Sequence, residues 1–260
     1  PLIINDITGP TIDSVVVNDV SCAGDSNGTA TVYGTSSGTI NYYVWEYNNN
    51  TIDSLNQTIM NLEGGVYQVS LIDNNGCTTS ASATVNEPPS MASAIISYTD
   101  VSCNSICNGT GTVFAGGGTP PYSYSWLPSG ETSASASSLC AGNNDVTITD
   151  NNGCLQGSAI TINEPSPVAS AILTFDDPAC NGACDGSATV MAGGGILPYS
   201  YQWSNLQVGA AATGLCNGTY YVTITDNNGC QSISSVTMTE PIPISVSDSV
   251  VNVTCYGGSD

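Results

Sequence analysis

Apolar and polar positions alternate with a period of two over most of the chain. Tyr122, Tyr124 and Trp126 are separated by Ser123 and Ser125, and Tyr199, Tyr201 and Trp203 by Ser200 and Gln202, as expected of strands with one face against a core. Val146 and Ile148 mark a later strand, and Ile160 and Ile162 its return. Asn152-Gly153 between them predicts a type I′ hairpin, in which both central residues need positive φ. The Gly116–Pro121 run turns the chain ahead of the Tyr-Ser-Trp strand. No window sustains an apolar face at 3.6-residue spacing, so almost no helix is expected, and no apolar run of about 18 residues is present to cross a bilayer.

The same pattern recurs. Asp-Asn-Asn-Gly-Cys occurs three times, ending at Cys77, Cys154 and Cys230. An earlier cysteine, at Cys22, Cys103 or Cys180, precedes Trp45, Trp126 or Trp203 by 23 residues in every case. Glu87-Pro88, Glu164-Pro165 and Glu240-Pro241 follow the last cysteine at a constant interval of 10. Three markers in one register define an internal repeat. The expected organisation is residues 1–10 as the tail of a preceding repeat, 11–88 as repeat 1, 89–165 as repeat 2, 166–241 as repeat 3 and 242–260 as the start of another, a segment of a longer array. Length varies only between Trp and the last cysteine, and in repeat 1 the extra residues around Asn48–Thr51 are expected to form an enlarged surface loop. Units of about 75–81 residues with short strands and frequent turns predict an all-β chain of tandem immunoglobulin-like β-sandwiches in a linear array.

Composition narrows the function. The chain carries 21 Asp and Glu but no Lys, Arg or His, for a net charge of −21. Phosphate-backbone binding needs cationic side chains, so nucleic acid is excluded as a partner, and an anionic membrane surface would repel the chain. Catalysis by Ser-His, Cys-His or Schiff-base lysine is unavailable, as is any His-ligated metal site. A hydrophobic content of 40 % argues against a disordered acidic tail. The acidity reads as a solubility device.

Eleven cysteines suggest an oxidising compartment. Repeats 2 and 3 have four each, Cys103, Cys107, Cys140, Cys154 and Cys180, Cys184, Cys216, Cys230, whereas repeat 1 has only Cys22 and Cys77, with Ser26 and Glu63 in the missing slots. Cysteines lost together are most simply partners. The expected bridges are therefore Cys22–Cys77, Cys103–Cys154, Cys107–Cys140, Cys180–Cys230 and Cys184–Cys216, with Cys255 left for a partner beyond Asp260. A four-thiolate zinc site is the competing reading, but it would lose two ligands at once in repeat 1.

These residues resemble a known family. The Val101–Asn104 run with Cys107-Asn108-Gly109-Thr110, the Gly116–Trp126 run, Leu139–Gly142 and Thr149–Cys154 are similar to the SprB repeat, and the third copy matches from Cys180 to Gly186 and from Gly214 to Tyr220. SprB repeats occur in tandem in very large secreted surface proteins of gliding Bacteroidota. The resemblance implies export to the cell surface, by the type IX route, and a part in a filament or adhesin used for attachment or gliding. It supplies no catalytic residue.

Other candidate sites have ordinary structural readings. Trp45, Trp126 and Trp203 could stack on sugars, but their fixed register with alternating Tyr neighbours favours core positions. Asp73, Asp150 and Asp226 could associate weakly with Ca²⁺, although a turn Asp more often bonds its own backbone; no cofactor is expected. A carboxylate pair such as Asp176 and Asp177 has nothing to mark it as a glycosidase acid and base, so the chain is not expected to be an enzyme. Asn27, Asn49, Asn56, Asn108, Asn217 and Asn252 fit the Asn-x-Ser/Thr pattern. If the resemblance holds, O-glycosylation is better placed at Ser14, Ser54 and Ser249, in Asp-Ser-aliphatic contexts. The expected function is the structural shaft of an extracellular surface filament or adhesin, its partners being neighbouring repeats, other copies of the protein, or surface glycans. The alternatives are a self-assembling filament subunit with inter-chain β contacts and a polysaccharide-binding module.

Overall fold

The computed structural model describes residues 8–249; Cys255 lies outside them. The chain divides into two compact units, Pro1–Asp100 with Cys107–Ile162, and Val101–Ile106 with Asn163–Asp260. The described residues form strands, turns and loops with no helix.

The first unit contains two sandwiches. Strands β1 (Thr11–Asn18), β2 (Gly28–Thr35), β3 (Ile40–Tyr47), β4 (Asn50–Asp53), β5 (Thr58–Leu62), β6 (Gly65–Asp73) and β7 (Thr78–Val85) make sheets of order β1-β2-β5 and β4-β3-β6-β7. Strands β8 (Ala92–Thr99), β9 (Gly109–Gly116), β10 (Ser123–Leu127), β11 (Ser135–Leu139), β12 (Gly142–Thr149) and β13 (Leu155–Ile162) repeat the plan as β8-β9-β11 and β10-β12-β13. In the second unit β14 (Ala169–Asp176), β15 (Gly186–Gly193), β16 (Ser200–Trp203), β17 (Ala211–Leu215), β18 (Gly218–Thr225) and β19 (Gln231–Met238) do so again. In immunoglobulin letters this is A-B-E against C-F-G, the constant-type order without strand D. The fold is a tandem of immunoglobulin-like sandwiches.

Alternation places the core. Inward positions Ala30 and Val32 of β2, Ile59 and Leu62 of β5, and Tyr67, Val69 and Leu71 of β6 close around Trp45. The third sandwich does the same around Trp203 with Ala188, Val190, Leu215, Val222 and Ile224. The residue eight positions after the first cysteine is small in each sandwich (Ala30, Gly111, Ala188), and a Cβ on Gly111 would stand 3.2 Å from the Trp126 ring. Strands β1, β8 and β14 lie at sheet edges and each carries a register shift, at Ile12/Ser14, Ile95/Ser97 and Ile172/Thr174. Such irregularities discourage edge-to-edge pairing.

Two local expectations need correction. The extra residues of the first sandwich do not form a loose loop: Asn48 (φ 48°) and Asn49 (φ 61°) make a two-residue turn from β3 into the added edge strand β4, with Tyr47 opposite Asn50. Asparagine tolerates this left-handed backbone at low cost. The Asp-Asn-Asn-Gly-Cys turns are not type I′ either. Gly153 alone in its turn has positive φ, 87°, and its N–H donates to the Asp150 carbonyl at 3.1 Å, so the loop is a three-residue turn ending in a left-handed glycine.

Candidate functional site

The three Asp-Asn-Asn-Gly-Cys hairpins are rigid. Asp150 Oδ1 accepts the backbone N–H groups of Asn152 and Cys154, both at 2.9 Å, and Oδ2 accepts that of Thr119 at 2.7 Å. Asp226 takes Asn228 and Cys230 on one oxygen and Ile196 on the other. Asp73 takes Asn75, Cys77 and the Ser36 hydroxyl. All three carboxylates are buried. Burial pushes the Asp150 carboxyl up, but the N–H groups of Thr119, Cys154, Asn152 and Gly153 outweigh it and hold its pKa below the ordinary aspartate value; Asp226 and Asp73 behave alike. These oxygens are committed to backbone donors, except that one Asp73 oxygen takes the Ser36 hydroxyl.

Glycine makes this possible at two places. Gly117 (φ 70°) brings the turn so close to the inter-sandwich linker that a Cβ there would lie 2.0 Å from the Ser90 carbonyl oxygen. Gly194 (φ 69°) stands in the same relation to the Pro167 oxygen. The neighbouring N–H groups use that proximity: Gly118 donates to Pro89 and Gly195 to Ser166, at 2.7 and 2.8 Å.

The A-B loop at the other end is equally ordered. The residue two positions after the first cysteine is left-handed in each loop, Gly24, Ser105 and Gly182, and its N–H donates to Glu87, Glu164 and Glu240 respectively. The invariant spacing of Glu-Pro is thereby explained: the glutamate anchors the cysteine loop to the end of the last strand. In the first sandwich Val20 N–H also donates to the Asn86 carbonyl and Asn86 N–H to Asp19.

Hairpin and A-B loop meet through sulfur. In the first unit Cys22 is bonded to Cys154, with Cα atoms 5.6 Å apart, and Asn152 Nδ2 donates to the Ser21 carbonyl at 3.0 Å. In the second unit Cys103 is bonded to Cys230 across 5.7 Å, and Asn228 Nδ2 donates to the Ser102 carbonyl at 2.9 Å. Each of these bonds joins an A-B loop to the hairpin of the sandwich that follows it in sequence. Cys107–Cys140 and Cys184–Cys216 are bonded within one sandwich. Cys77 and Cys180 carry free thiols.

The expected Cys22–Cys77, Cys103–Cys154 and Cys180–Cys230 bridges are therefore replaced, for a geometric reason. In the first sandwich the A-B loop packs on the end of β7, at Asn86 and Glu87, while Cys77 begins the same strand at the opposite end, where Asn74 N–H donates to Thr39. The eight residues of β7 span about 26 Å, and bonded half-cystines need Cα atoms within about 7 Å. Cysteines at opposite poles of one sandwich cannot pair, whereas opposite poles of consecutive sandwiches can. Sequence reasoning set the Glu-Pro pairs at the repeat boundaries but passed over the glutamates as anchors of the cysteine loops, and over Asn152 and Asn228 as junction residues.

The other candidates fall in structural roles. Trp45, Trp126 and Trp203 are 0 %, 0 % and 1 % exposed, and their indole N–H groups donate to the carbonyls of Asn56, Ser133 and Gly209, so they offer no ring face to a sugar. Asp176 accepts from the Ser187 hydroxyl, and Asp177 from the backbone and hydroxyl of Thr239. Ser14, Ser54 and Ser249 are exposed.

Residues 172–208 match the family described as SprB repeat. These residues are similar to a SprB repeat. The matched stretch includes Cys180, Cys184, the Gly193–Gly195 run and Trp203, and the second sandwich carries the same residue types in the same register at Cys103, Cys107, Gly116–Gly118 and Trp126. No curated protein matches the chain. Among solved structures it is similar to three N-terminal domains of the bacteriophage RB49 highly immunogenic outer capsid protein, at 11 % identity and TM-score 0.39 over 90 % of this chain and 100 % of that one. Eight N-terminal immunoglobulin domains of Down syndrome cell adhesion molecule give 15 % and 0.41 over 91 % and 37 %. A fragment of a 1.5-MDa bacterial ice-binding adhesin gives 13 % and 0.33 over 90 % and 98 %.

Proposed function

We propose that the chain is the shaft of an extracellular surface adhesin or filament of the kind that carries SprB repeats, serving attachment or gliding, and that its mechanical task is to resist extension. The supporting observation is the stagger of the disulfides. A bridge inside one sandwich only limits how far that sandwich unravels. Bridges from each A-B loop to the next hairpin add a second covalent connection beside the linker, so neither junction hangs on one strand of backbone.

The gain can be counted along the covalent path. From Thr11 the shortest route to Ser249 goes to Cys22, across to Cys154, back to Cys140, across to Cys107, back to Cys103 and across to Cys230. Fully stretched, that route reaches only about 180 Å, against about 800 Å for the unbridged backbone. Pairing within each sandwich would allow about 300 Å. Even with every sandwich unfolded, the oxidised shaft cannot lengthen further. Surface carboxylates without basic partners keep neighbouring shafts from clumping, and exposed Ser14, Ser54 and Ser249 are the proposed sites of O-linked sugar.

Single-molecule pulling between handles at residues 11 and 249 tests the reading. The oxidised chain should stop near 180 Å and the reduced chain should run to about 800 Å, in steps as each sandwich opens. An oxidised chain that extends to 300 Å or beyond would overturn it.

A further inference from the structure

The first sandwich has an open groove of about 720 Å³, within the roughly 300–1,000 Å³ of small-molecule sites. It lies between edge strands of the two sheets, lined by Ile52 of β4 and by Met60 and Asn61 of β5, with Tyr47 and Glu63 beside them. Three differences from the other sandwiches shape it. Strand β4 is the added strand. Glu63 stands in the slot where Cys140 and Cys216 carry a bridge. Tyr47 follows the tryptophan by two residues, where the others have Pro128 and Asn205.

The lining combines apolar and polar groups. Ile52 and Met60 are 47 % and 66 % exposed. Tyr47 is half-buried, its ring fixed by stacking on buried Tyr67 and by lying over Gly65, where a Cβ would come within 2.7 Å of it. The Tyr47 hydroxyl, the Asn61 amide and the Glu63 carboxylate make no hydrogen bond among the described residues. Asp53, by contrast, is spent on the N–H groups of Leu55 and Asn56 and on the Asn56 amide, which braces the rim. Asn61 is left-handed (φ 58°), 16 residues before the hairpin cysteine, and the third sandwich has Gly214 (φ 68°) at that place. Glycine adopts this backbone more cheaply, so the Asn61 side chain is carried at a cost.

We infer that this groove binds a short neutral oligosaccharide. A pyranose ring joins apolar C–H faces to a rim of hydroxyls, each both donor and acceptor, and so needs a surface of both kinds. Here the C–H faces lie against Ile52, Met60 and Tyr47. The hydroxyls donate to the Glu63 carboxylate and exchange hydrogen bonds with the Asn61 amide and the Tyr47 hydroxyl. Acidic sugars are excluded, because the chain has no cationic side chain to meet them and Glu63 repels them. A cationic ligand would find Glu63 as the one uncommitted carboxylate of the lining, open to solvent, and an exposed ion pair of that kind contributes little.

The test titrates the full chain, isotope-labelled for NMR, with cello-, laminari-, manno- and xylotetraose, with tetragalacturonic acid and with spermine. At least one neutral tetraose should shift the backbone amides of Asn61 and Glu63 while those of the second and third sandwiches stay in place, and the two charged probes should leave the groove unmoved. Asn61→Gly supplies the residue that Gly214 already is, so the variant should melt no lower than the parent and yet bind the same tetraose about tenfold more weakly. Glu63→Ala should weaken it by at least as much. The inference is overturned if no neutral tetraose binds, if spermine or tetragalacturonic acid binds as tightly as the best of them, or if both variants bind like the parent.

Discussion

Cys22 and Cys154 are separated by 132 residues in sequence and by 5.6 Å between Cα atoms. A contact of that span exists because the loop after one sandwich's first strand and the tight turn of the next sandwich face the same linker, each stiffened by its own carboxylate. Acidic side chains, so numerous here, are used at these two places as internal acceptors for backbone N–H groups.

Cys22→Ala and Cys154→Ala should each lower stability by about 2–5 kcal/mol, the usual cost of removing a native disulfide. The double variant should cost little more than either single one, since partners are not additive. Cys77→Ala should change stability by less than about 0.5 kcal/mol. Urea unfolding of the four proteins checks this. A loss for Cys77→Ala as large as that for Cys22→Ala would contradict the pairing.

Asp150 sets an acid limit. Its folded pKa lies below the ordinary value, so its stabilising contribution is complete above the unfolded value of about 3.9 and is lost as pH falls through the lower folded value. Asp150→Asn should destabilise the second sandwich at neutral pH, because an amide offers one acceptor oxygen where Asp150 uses two. It should also flatten the decline of melting temperature below about pH 4. Melting curves from pH 7 to 2 for both proteins read the difference.

Gly117→Ala should loosen the linker. The residue would carry a Cβ at φ 70° and 2.0 Å from the Ser90 oxygen, which is backbone and cannot rotate away. The left-handed conformation alone costs roughly 1–2 kcal/mol. Limited proteolysis should then cut between Pro88 and Met91 faster than in the parent, while Gly130→Ala, whose Cβ would meet nothing within 4 Å, should leave that linker resistant.

Much of the fold was legible because it rests on short-range pattern. The alternation Tyr122-Ser-Tyr124-Ser-Trp126 placed a strand with Trp126 inward, and Trp126 is fully buried. The cysteine pairing was only half legible. Loss of two cysteines from the first sandwich singles out the slots of Cys107 and Cys140, which are bonded. The remaining cysteines recur once per sandwich, and one per period is equally compatible with pairing inside a period or across to the next. Only the third dimension decides, by setting Cys22 and Cys77 at opposite ends of β7. The Asn48-Asn49 turn was misjudged for a related reason, since asparagine pairs suit irregular loops and left-handed hairpins alike. The stacked rings of Tyr47 and Tyr67, 4.6 Å apart beside that added strand, had no signature at all.

The overlapping bridges also confer tolerance to damage. A backbone cut anywhere from Cys22 to Cys103 is spanned by Cys22–Cys154, and one from Cys154 to Cys230 by Cys103–Cys230, while the stretch in between is enclosed by both. A protease that nicks any one exposed turn over this whole distance leaves the two ends of the molecule still fastened together, and only a second break or reduction parts them.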